Sequence, residues 1–427
     1  VTTVHHAPAG TPAAAPAGPP AHAPDQAVIG AASGLLGQYR AATDEAFFAS
    51  PTRTLLTSGA HARVPQDARP LAQRVAHTLA EAEANAEARA DAKTEAGTRS
   101  ADSRRPLVVG AVAFDHDRRA ELVVPALVRT AGALRDDPLI ALPAPPADRV
   151  DWQLRPVPAP EAYGAGVAAA VERLRGGELS KVVLARTLEL TADRPLDLPA
   201  VLQRLARRDP GGYTFAVPAG PGRTLIGASP ELLLSRRGTA VLANPLAGSV
   251  PRSDDLGEDV RRAAALLESP KDLHEHAVVV DAIRTALAPH CRTLDVPERP
   301  TLVRTAAMWH LATTISGELA DPAVTALDLA TALHPTPAVC GTPTDLARRV
   351  IGEVEPFDRG LYTGMVGWQD AAGDGEWVVT IRCAEAEQRM LRVYAGAGVV
   401  DRSRPEAELA ETSAKFRTFL DAAGVPR

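Results

Sequence analysis

The chain has 427 residues, 45% of them hydrophobic, and a formal net charge of -6 with both signs mixed along its length. This suffices for a sizeable buried core, and length alone allows two or three domains. The charge balance gives no sign of a nucleic-acid or membrane-surface partner. Cys291, Cys340 and Cys383 lie far apart and match no metal spacing, which fits a reduced, cytoplasmic setting. No apolar run reaches the ~20 residues that span a bilayer. No basic segment leading into an apolar one marks a secretory signal.

Residues 1–27 are rich in Ala, Pro and Gly and nearly devoid of large apolar residues, which predicts a disordered tail. Residues 28–105 carry modest helical patterns. The mostly polar, Ala/Glu-rich stretch 79–99 reads as a solvated helix or a flexible insertion. PLVVGAVAF (106–114) reads as a buried strand. Beyond about residue 160 the pattern predicts a helix over 168–174, a strand over 181–190 and a helix over 198–207. Strands follow over 214–217, 224–227 and 231–238, and helices over 269–288 and 344–354. Three further strands, over 362–368, 376–384 and 390–394, precede a closing helix over 406–422. Strands outnumber helices here and come in adjacent pairs. The pattern favours an α+β fold with large, mainly antiparallel sheets flanked by helices over a doubly wound parallel sheet. No internal repeat is present.

Two helices place acids where water is scarce. Ser269-Pro270-Lys271-Asp272 supplies an N-cap serine, a proline at the first helical position and an acid three residues after the cap. At 100° per residue, Asp272 and Glu275 share a sector with Val279, Ile283 and Leu287. Asp272 can be a capping residue, but a carboxylate on a buried face needs a cation or several donors. In the closing helix Glu408, Glu411 and Lys415 share one sector, while Leu409, Phe416 and Leu420 form another. Glu411 and Lys415 suit an exposed i,i+4 ion pair, and two acid-bearing helices also suit a hard cation with oxygen ligands. Both readings stay open on spacing alone. Zinc is rejected: His274 and His276 point in nearly opposite directions on a helix, and Val278 stands where the zinc-protease pattern needs histidine.

Ten segments then carry a resemblance. They are KVVLAR (181–186), IGASPELL (226–233), PLAGSVPR (245–252), KDLHEH (271–276), LATTISGEL (311–319), LHPTPAVCGTP (333–343), EPFDRGLYTGMVGW (355–368), EWVVTIRCAE (376–385), YAGAGVV (394–400) and ELAETSAK (408–415). In this order they resemble the chorismate-binding enzymes, which include isochorismate, salicylate, anthranilate and aminodeoxychorismate synthases. The resemblance implies one α+β domain over 28–427, with a variable part (28–160) and a motif-bearing part (161–427). Two large antiparallel sheets would pack together with helices outside and the active site in a cleft near them.

The resemblance also implies residue roles. Lys181 would activate the nucleophile, which for isochorismate formation is water attacking C2 of chorismate. A lysine base must be partly neutral, which burial near a metal favours. Glu231 would be the general acid that protonates the departing C4 hydroxyl, and desolvation would have to raise its pKa. Magnesium would be held by Glu275 and Glu411, with Asp272 and Glu408 acting directly or through water, and would bind the ring carboxylate. Lys415, Gly248 and Ser249 would lie near that carboxylate. Arg382 would clamp the enolpyruvyl carboxylate with its planar fork, and Tyr362, Gly396 and Gly398 would line that end. His310 would face the ring, Ala338 and Val339 would lie beside it, and Ala247 and Ile381 would complete the substrate-binding set.

Subgroup marks follow from the same resemblance. Anthranilate synthases usually have glutamine where Lys181 stands and draw ammonia from a glutaminase. Aminodeoxychorismate synthases typically have a nucleophilic lysine where Ala247 stands. A magnesium-dependent isochorismate synthase without a glutaminase subunit is therefore expected, as a monomer. The LHPTPAVCGTP segment resembles enzymes that feed 2,3-dihydroxybenzoate siderophores. Menaquinone-pathway synthesis, salicylate synthesis with pyruvate elimination, and an inactive chorismate-binding protein are the alternatives; retention of Lys181, Glu231, Glu275, Glu411 and Arg382 speaks against the last.

Overall fold

A computed structural model describes residues 29–94, 105–115, 120–147 and 149–426, and side chains in 89–94 are left aside. The expected tail over 1–27 and the last part of the Ala/Glu-rich stretch lie outside these residues. Among the described residues, 17 strands form one antiparallel hydrogen-bonded path. It starts at Cys291–Asp295 and passes through Ile315–Leu319, Ala240–Asn244 and Leu232–Arg237. It continues through Gly375–Val379, Met365–Asp370, Leu107–Val112 and Ala120–Ala131. Thr54–Arg63, Ala46–Ala49, Tyr213–Pro218 and Arg223–Ser229 come next. Cys383–Glu387 and Met390–Val399 then lead to Lys181–Ala192. The far edge of that last strand carries both Trp152–Val157 and Gly341–Thr342.

The path curls so that its two halves face one another. Phe48, Val109, Phe215, Leu225, Trp368, Val378 and Tyr394 meet in one apolar cluster drawn from both. The two packed layers expected from the sequence are thus halves of a single ladder. A separate three-stranded sheet pairs Leu246–Pro251 with Met308–Ala312, and that strand with Thr301–Arg304. Helices cover the outer faces. Leu71–Thr94, Pro270–Leu287 and Ala326–Leu333 pack on one half. Ala31–Gln38, Leu198–Arg208 and Pro405–Ala423 pack on the other. Pro160–Arg175 and Thr344–Val354 cover the start of the Lys181 strand. No helix among the described residues is long and apolar enough to cross a membrane.

Several elements differ from expectation, for physical reasons. The helical reading of 28–105 overlooks the strands Ala46–Ala49 and Thr54–Arg63. AFFA is buried on both faces, so it carries no alternation to read. The Ala/Glu-rich stretch is not wholly solvated, because the helix Leu71–Thr94 buries Leu79 and Ala82 against the sheet. The strand expected over 376–384 is two strands, Gly375–Val379 and Cys383–Glu387. Between them the backbone turns through Arg382 at φ 51°. The strand expected from residue 362 begins at Met365, after a turn in which Thr363 has φ 56°.

Phe215 is fully buried where the halves meet, and a Cβ on Gly227 would stand 2.7 Å from its ring. Truncation there leaves a cavity that neighbours on two sheet halves cannot both close. Phe215→Ala should lower unfolding free energy by about 3–5 kcal/mol in urea titrations. A loss below about 1 kcal/mol would mean the halves do not depend on this contact.

Candidate active site

The site is built on the Lys181 strand and its neighbour Met390–Val399, where Val183 lies opposite Gly398 and Ala185 opposite Gly396. Both glycines leave room that any side chain would fill. A Cβ on Gly398 would stand 2.6 Å from Glu275 Oε1 and 3.1 Å from Lys181 Cε. One on Gly396 would stand 3.0 Å from the Tyr362 hydroxyl. Lys181 is 2% exposed, and its Nζ lies 2.8 Å from Glu275 Oε1. Burial works against the Glu275 charge, yet the charges of Lys181, Lys271 and Lys415 hold its pKa below the usual value.

The helix Pro270–Leu287 delivers Glu275 as its periodicity requires. Val279, Ile283 and Leu287 are buried below it. The Ser269 side chain accepts the Asp272 N–H, and the Ser269 hydroxyl donates to the Asp272 carboxylate. Asp272 therefore belongs to the cap and to the site at once. His274 is exposed while His276 is buried, with its Nε2 2.7 Å from Thr313 Oγ1.

The closing helix Pro405–Ala423 does not present Glu408, Glu411 and Lys415 to solvent. Glu408 is 2% exposed, 3.8 Å from Lys271 Nζ. Lys415 donates to the Gly396 carbonyl at 2.8 Å and pairs with Glu411 at 2.5 Å. The Ser249 hydroxyl donates to Glu411 at 3.3 Å.

Glu231 follows Pro230 and precedes the strand Leu232–Arg237. Its carbonyl accepts the Val379 N–H at 3.1 Å, and its Oε1 accepts from Leu246 N at 3.5 Å. Burial raises its pKa from 4.5 to about 7, against the pull of the Leu246 N–H and of Lys181, Arg382 and Lys415. Desolvation outweighs three cations, so the carboxyl is half protonated near neutrality. His310 is also buried, and burial together with Arg382 and Lys415 pushes its pKa well below 6.5, leaving a neutral imidazole. Arg382 makes no ion pair among the described residues. Its burial lowers its own pKa, which Tyr362, Glu411 and Glu231 only partly offset.

One cavity gathers nearly all of these groups. Glu231, Ala247, Gly248, Ser249 and His310 line one side. Asp272, Glu275, Glu411 and Lys415 line another, with Ala338, Val339, Tyr362, Ile381 and Arg382 around the rest and Gly396 and Gly398 at the sheet. Lys181 sits beneath Glu275, and Glu408 behind Lys271, rather than on the wall. The sequence reading did not single out Val183, Pro230, Leu246, Lys271 and Thr363, which also line the cavity. Lys271 was within reach, since it precedes Asp272 in the same motif. A larger cleft of about 690 Å³ between residues 40–45, 63–66 and 218–224 contains none of these groups. Its arginines are engaged locally, Arg63 with Asp44 and Arg223 with Glu385.

Among the described residues no three His, Cys, Asp or Glu side chains form a ready-made metal cage. The carboxylates nonetheless strain against one another. Burial and Glu411 raise Glu408 to about 7. Asp272 is raised by burial, with Glu275 and Glu411 adding to the shift. A divalent cation relieves such repulsion, and magnesium takes one or two carboxylates and completes its shell with water and substrate oxygens. The donor set fits that open arrangement, not a closed four-carboxylate site.

Glu231 has a consequence for stability. Its folded-state pKa is raised, so its contribution is full below about pH 4.5 and is lost as pH rises through about 7. Glu231→Gln removes that loss. From about pH 4 to pH 8 the difference in unfolding free energy should move by about 3 kcal/mol in favour of the variant. A pH-independent difference in urea titrations would mean that burial does not raise the Glu231 pKa on folding.

Comparison with known proteins places this geometry. The family model described as chorismate binding enzyme matches residues 134–424. Isochorismate synthase DhbC of Bacillus subtilis is 54% identical over 390 residues, covering 89% of this chain and 93% of that protein. The vibriobactin-specific isochorismate synthase of Vibrio cholerae is 45% identical over 320 residues, covering 75% and 80%. The crystal structure of Bacillus anthracis DhbC, assigned as a 2,3-dihydroxybenzoate-specific isochorismate synthase, superposes with a TM-score of 0.82 at 47% identity, covering 92% of this chain and all of that one. The chain belongs to the chorismate-binding enzyme family.

Proposed function

We propose that the chain is an isochorismate synthase, an isomerase that moves a hydroxyl group of chorismate from C4 to C2. The observation that carries this reading is a buried, half-protonated Glu231 on the wall of one cavity lined by acids and cations, with a buried Lys181 just behind that wall, in contact with Glu275. The reaction needs one group to take a proton from the attacking water and another to give one to the departing hydroxyl. Lys181, in its free-amine form, takes the proton as the water oxygen bonds to C2. The ring double bond shifts, the C4–O bond breaks, and Glu231 protonates the leaving hydroxide as water. The net change is transposition of one hydroxyl, with no oxidant or reductant.

Other residues bind and orient. Arg382, a guanidinium with no carboxylate partner, suits the enolpyruvyl carboxylate, and Lys415 and Ser249 suit the ring carboxylate. Gly248, at φ 78° and with its Cβ position 3.0 Å from Asp272 Cβ, brings the backbone close. Neutral His310 and the apolar walls of Ala338, Val339 and Ile381 flank the ring without adding charge. Magnesium, when held by Glu275 and Glu411 with Asp272 and Glu408 acting directly or through water, would neutralise and orient the ring carboxylate. Ala247 leaves no amine beside the ring, and Lys181 favours water over ammonia, so no glutaminase partner is needed. The relatives' named specificities, for 2,3-dihydroxybenzoate and vibriobactin, support supply of isochorismate to a siderophore pathway. A cytoplasmic monomer completes this reading.

Incubation with chorismate and magnesium, followed by product analysis, tests the proposal. Isochorismate without pyruvate is expected; salicylate with pyruvate would make the chain a salicylate synthase, and aminated products would overturn the choice of nucleophile. Lys181→Ala and Glu231→Gln should each cut turnover by at least about 100-fold while the fold persists. Near-wild-type turnover in either would remove that residue from the mechanism. Chelation should abolish activity and added magnesium restore it; unchanged turnover after exhaustive chelation would count against the two-helix site.

A further inference from the structure

The EPFDRGLYTGMVGW segment contains a charged pair that the proposed chemistry does not use. Glu355 and Arg359 lie one helical turn apart in sequence, yet both are buried, with side chains 2% and 3% exposed. The Arg359 fork meets Glu355 twice, Nε to Oε2 at 2.9 Å and Nη2 to Oε1 at 2.6 Å. Its remaining N–H groups reach two other chain segments and the turn that follows Arg359 itself. Nη2 donates to the Val183 carbonyl at 2.7 Å, and Nη1 to the Val339 carbonyl at 2.8 Å and to Thr363 Oγ1 at 3.3 Å. All five donors of the guanidinium are thereby engaged. Glu355 adds a fourth tie, accepting the Ala185 N–H at 2.7 Å.

Val183, Val339 and Thr363 are all on the wall of the active-site cavity. They come from separate elements: the Lys181 strand, the loop before Gly341, and the turn after Tyr362. The Lys181 strand and the loop before Gly341 already meet through backbone hydrogen bonds, Val183 N–H to the Cys340 carbonyl at 2.8 Å among them, and Arg359 ties both to the turn at Thr363. One rigid, planar group spans all three and cannot reach them unless they stand in register. Lysine at this position has one nitrogen and no fork, so it cannot span the same acceptors.

We infer that Arg359, held by Glu355, is a positioning residue that fixes the cavity wall against the substrate ring. This rests on the isochorismate synthase reading of the site. Misplacement of reacting groups by a fraction of an ångström to an ångström can cost up to about 100-fold in rate. A residue that merely staples the fold would instead lower stability and leave the folded fraction fully active. Arg236 supplies the matched control. It is 4% exposed and donates to the Ala372 and Pro322 carbonyls and to Asp374, away from the cavity.

The test compares Arg359→Lys, Glu355→Gln and Arg236→Lys with the full-length wild type, with kcat and KM for chorismate normalised to the folded fraction from urea titrations. Arg359→Lys should lose about 10-fold or more in kcat, and Glu355→Gln should lose less in the same sense. Arg236→Lys should keep kcat and KM within about 2-fold despite any loss of stability. Wild-type kcat and KM in folded Arg359→Lys would overturn the inference, as would an equal kcat loss in Arg236→Lys. Should Arg359→Lys not fold, Glu355→Gln decides by the same readout. A wild type that does not convert chorismate would instead overturn the functional reading on which this rests.

Discussion

An ammonium group taken out of water at a sheet surface costs several kcal/mol unless an anion meets it. Lys181 is in that position, and Glu275 meets it at 2.8 Å. Much of the site follows from this contact. The helix carrying Glu275 buries Val279, Ile283 and Leu287 on the other half of the ladder, and its Glu275 reaches across to the strand carrying Lys181. The neighbouring strand must present no side chain at the meeting point, and Gly398 presents none. The second acid helix then closes over the same strand through Lys415 and the Gly396 carbonyl. A pair that does not by itself add much stability thus fixes the relative placement of two helices and two strands.

The electrostatics of the cavity are decided by competition between burial and neighbouring charge. At Glu231 burial wins over three nearby cations, and the carboxyl titrates near neutrality. At Glu275 the order reverses, because Lys181 is in contact and the carboxylate stays ionised. Two glutamates in one pocket thereby differ in protonation at the same pH, one half protonated near neutrality and the other ionised. This division is what an acid and a charge-pairing group respectively require. His310, kept neutral by burial and by Arg382 and Lys415, adds surface without adding charge.

Periodicity made part of this legible. The buried face of 270–287, and the acids on it, could be read at 100° per residue. The strand Lys181–Ala192 and the paired strands around residue 225 were marked by β-branched and apolar runs. Other features leave no local trace. Ala46–Ala49 is too short and too uniformly buried to show alternation. The break that exposes Arg382 sits inside a continuous apolar run and depends on a non-glycine residue at φ 51°, a conformation imposed by the surrounding sheet. Spacing could not decide whether Glu408 and Glu411 face water. That depended on Lys271 and Ser249, which arrive from elements more than 130 residues earlier. Arg359 drew no notice in the sequence, since two of its acceptors are the Val183 and Val339 carbonyls, which sequence does not distinguish.

The strand order has a consequence for how the molecule comes into being. The ladder passes from Tyr213–Pro218 to Met365–Asp370 by way of Ala46–Ala49, Thr54–Arg63, Ala120–Ala131 and Leu107–Val112. The motif-poor first third is therefore the bridge between the half that bears Lys181 and the half that bears Glu231's strand. During synthesis Leu107–Val112 emerges long before its partner Met365–Asp370 exists, and one of its edges waits unpaired. Pairings of such sequence separation close slowly and late. The nascent chain thus carries an open, apolar strand edge through most of translation, and the active site is among the last parts of the molecule to be assembled.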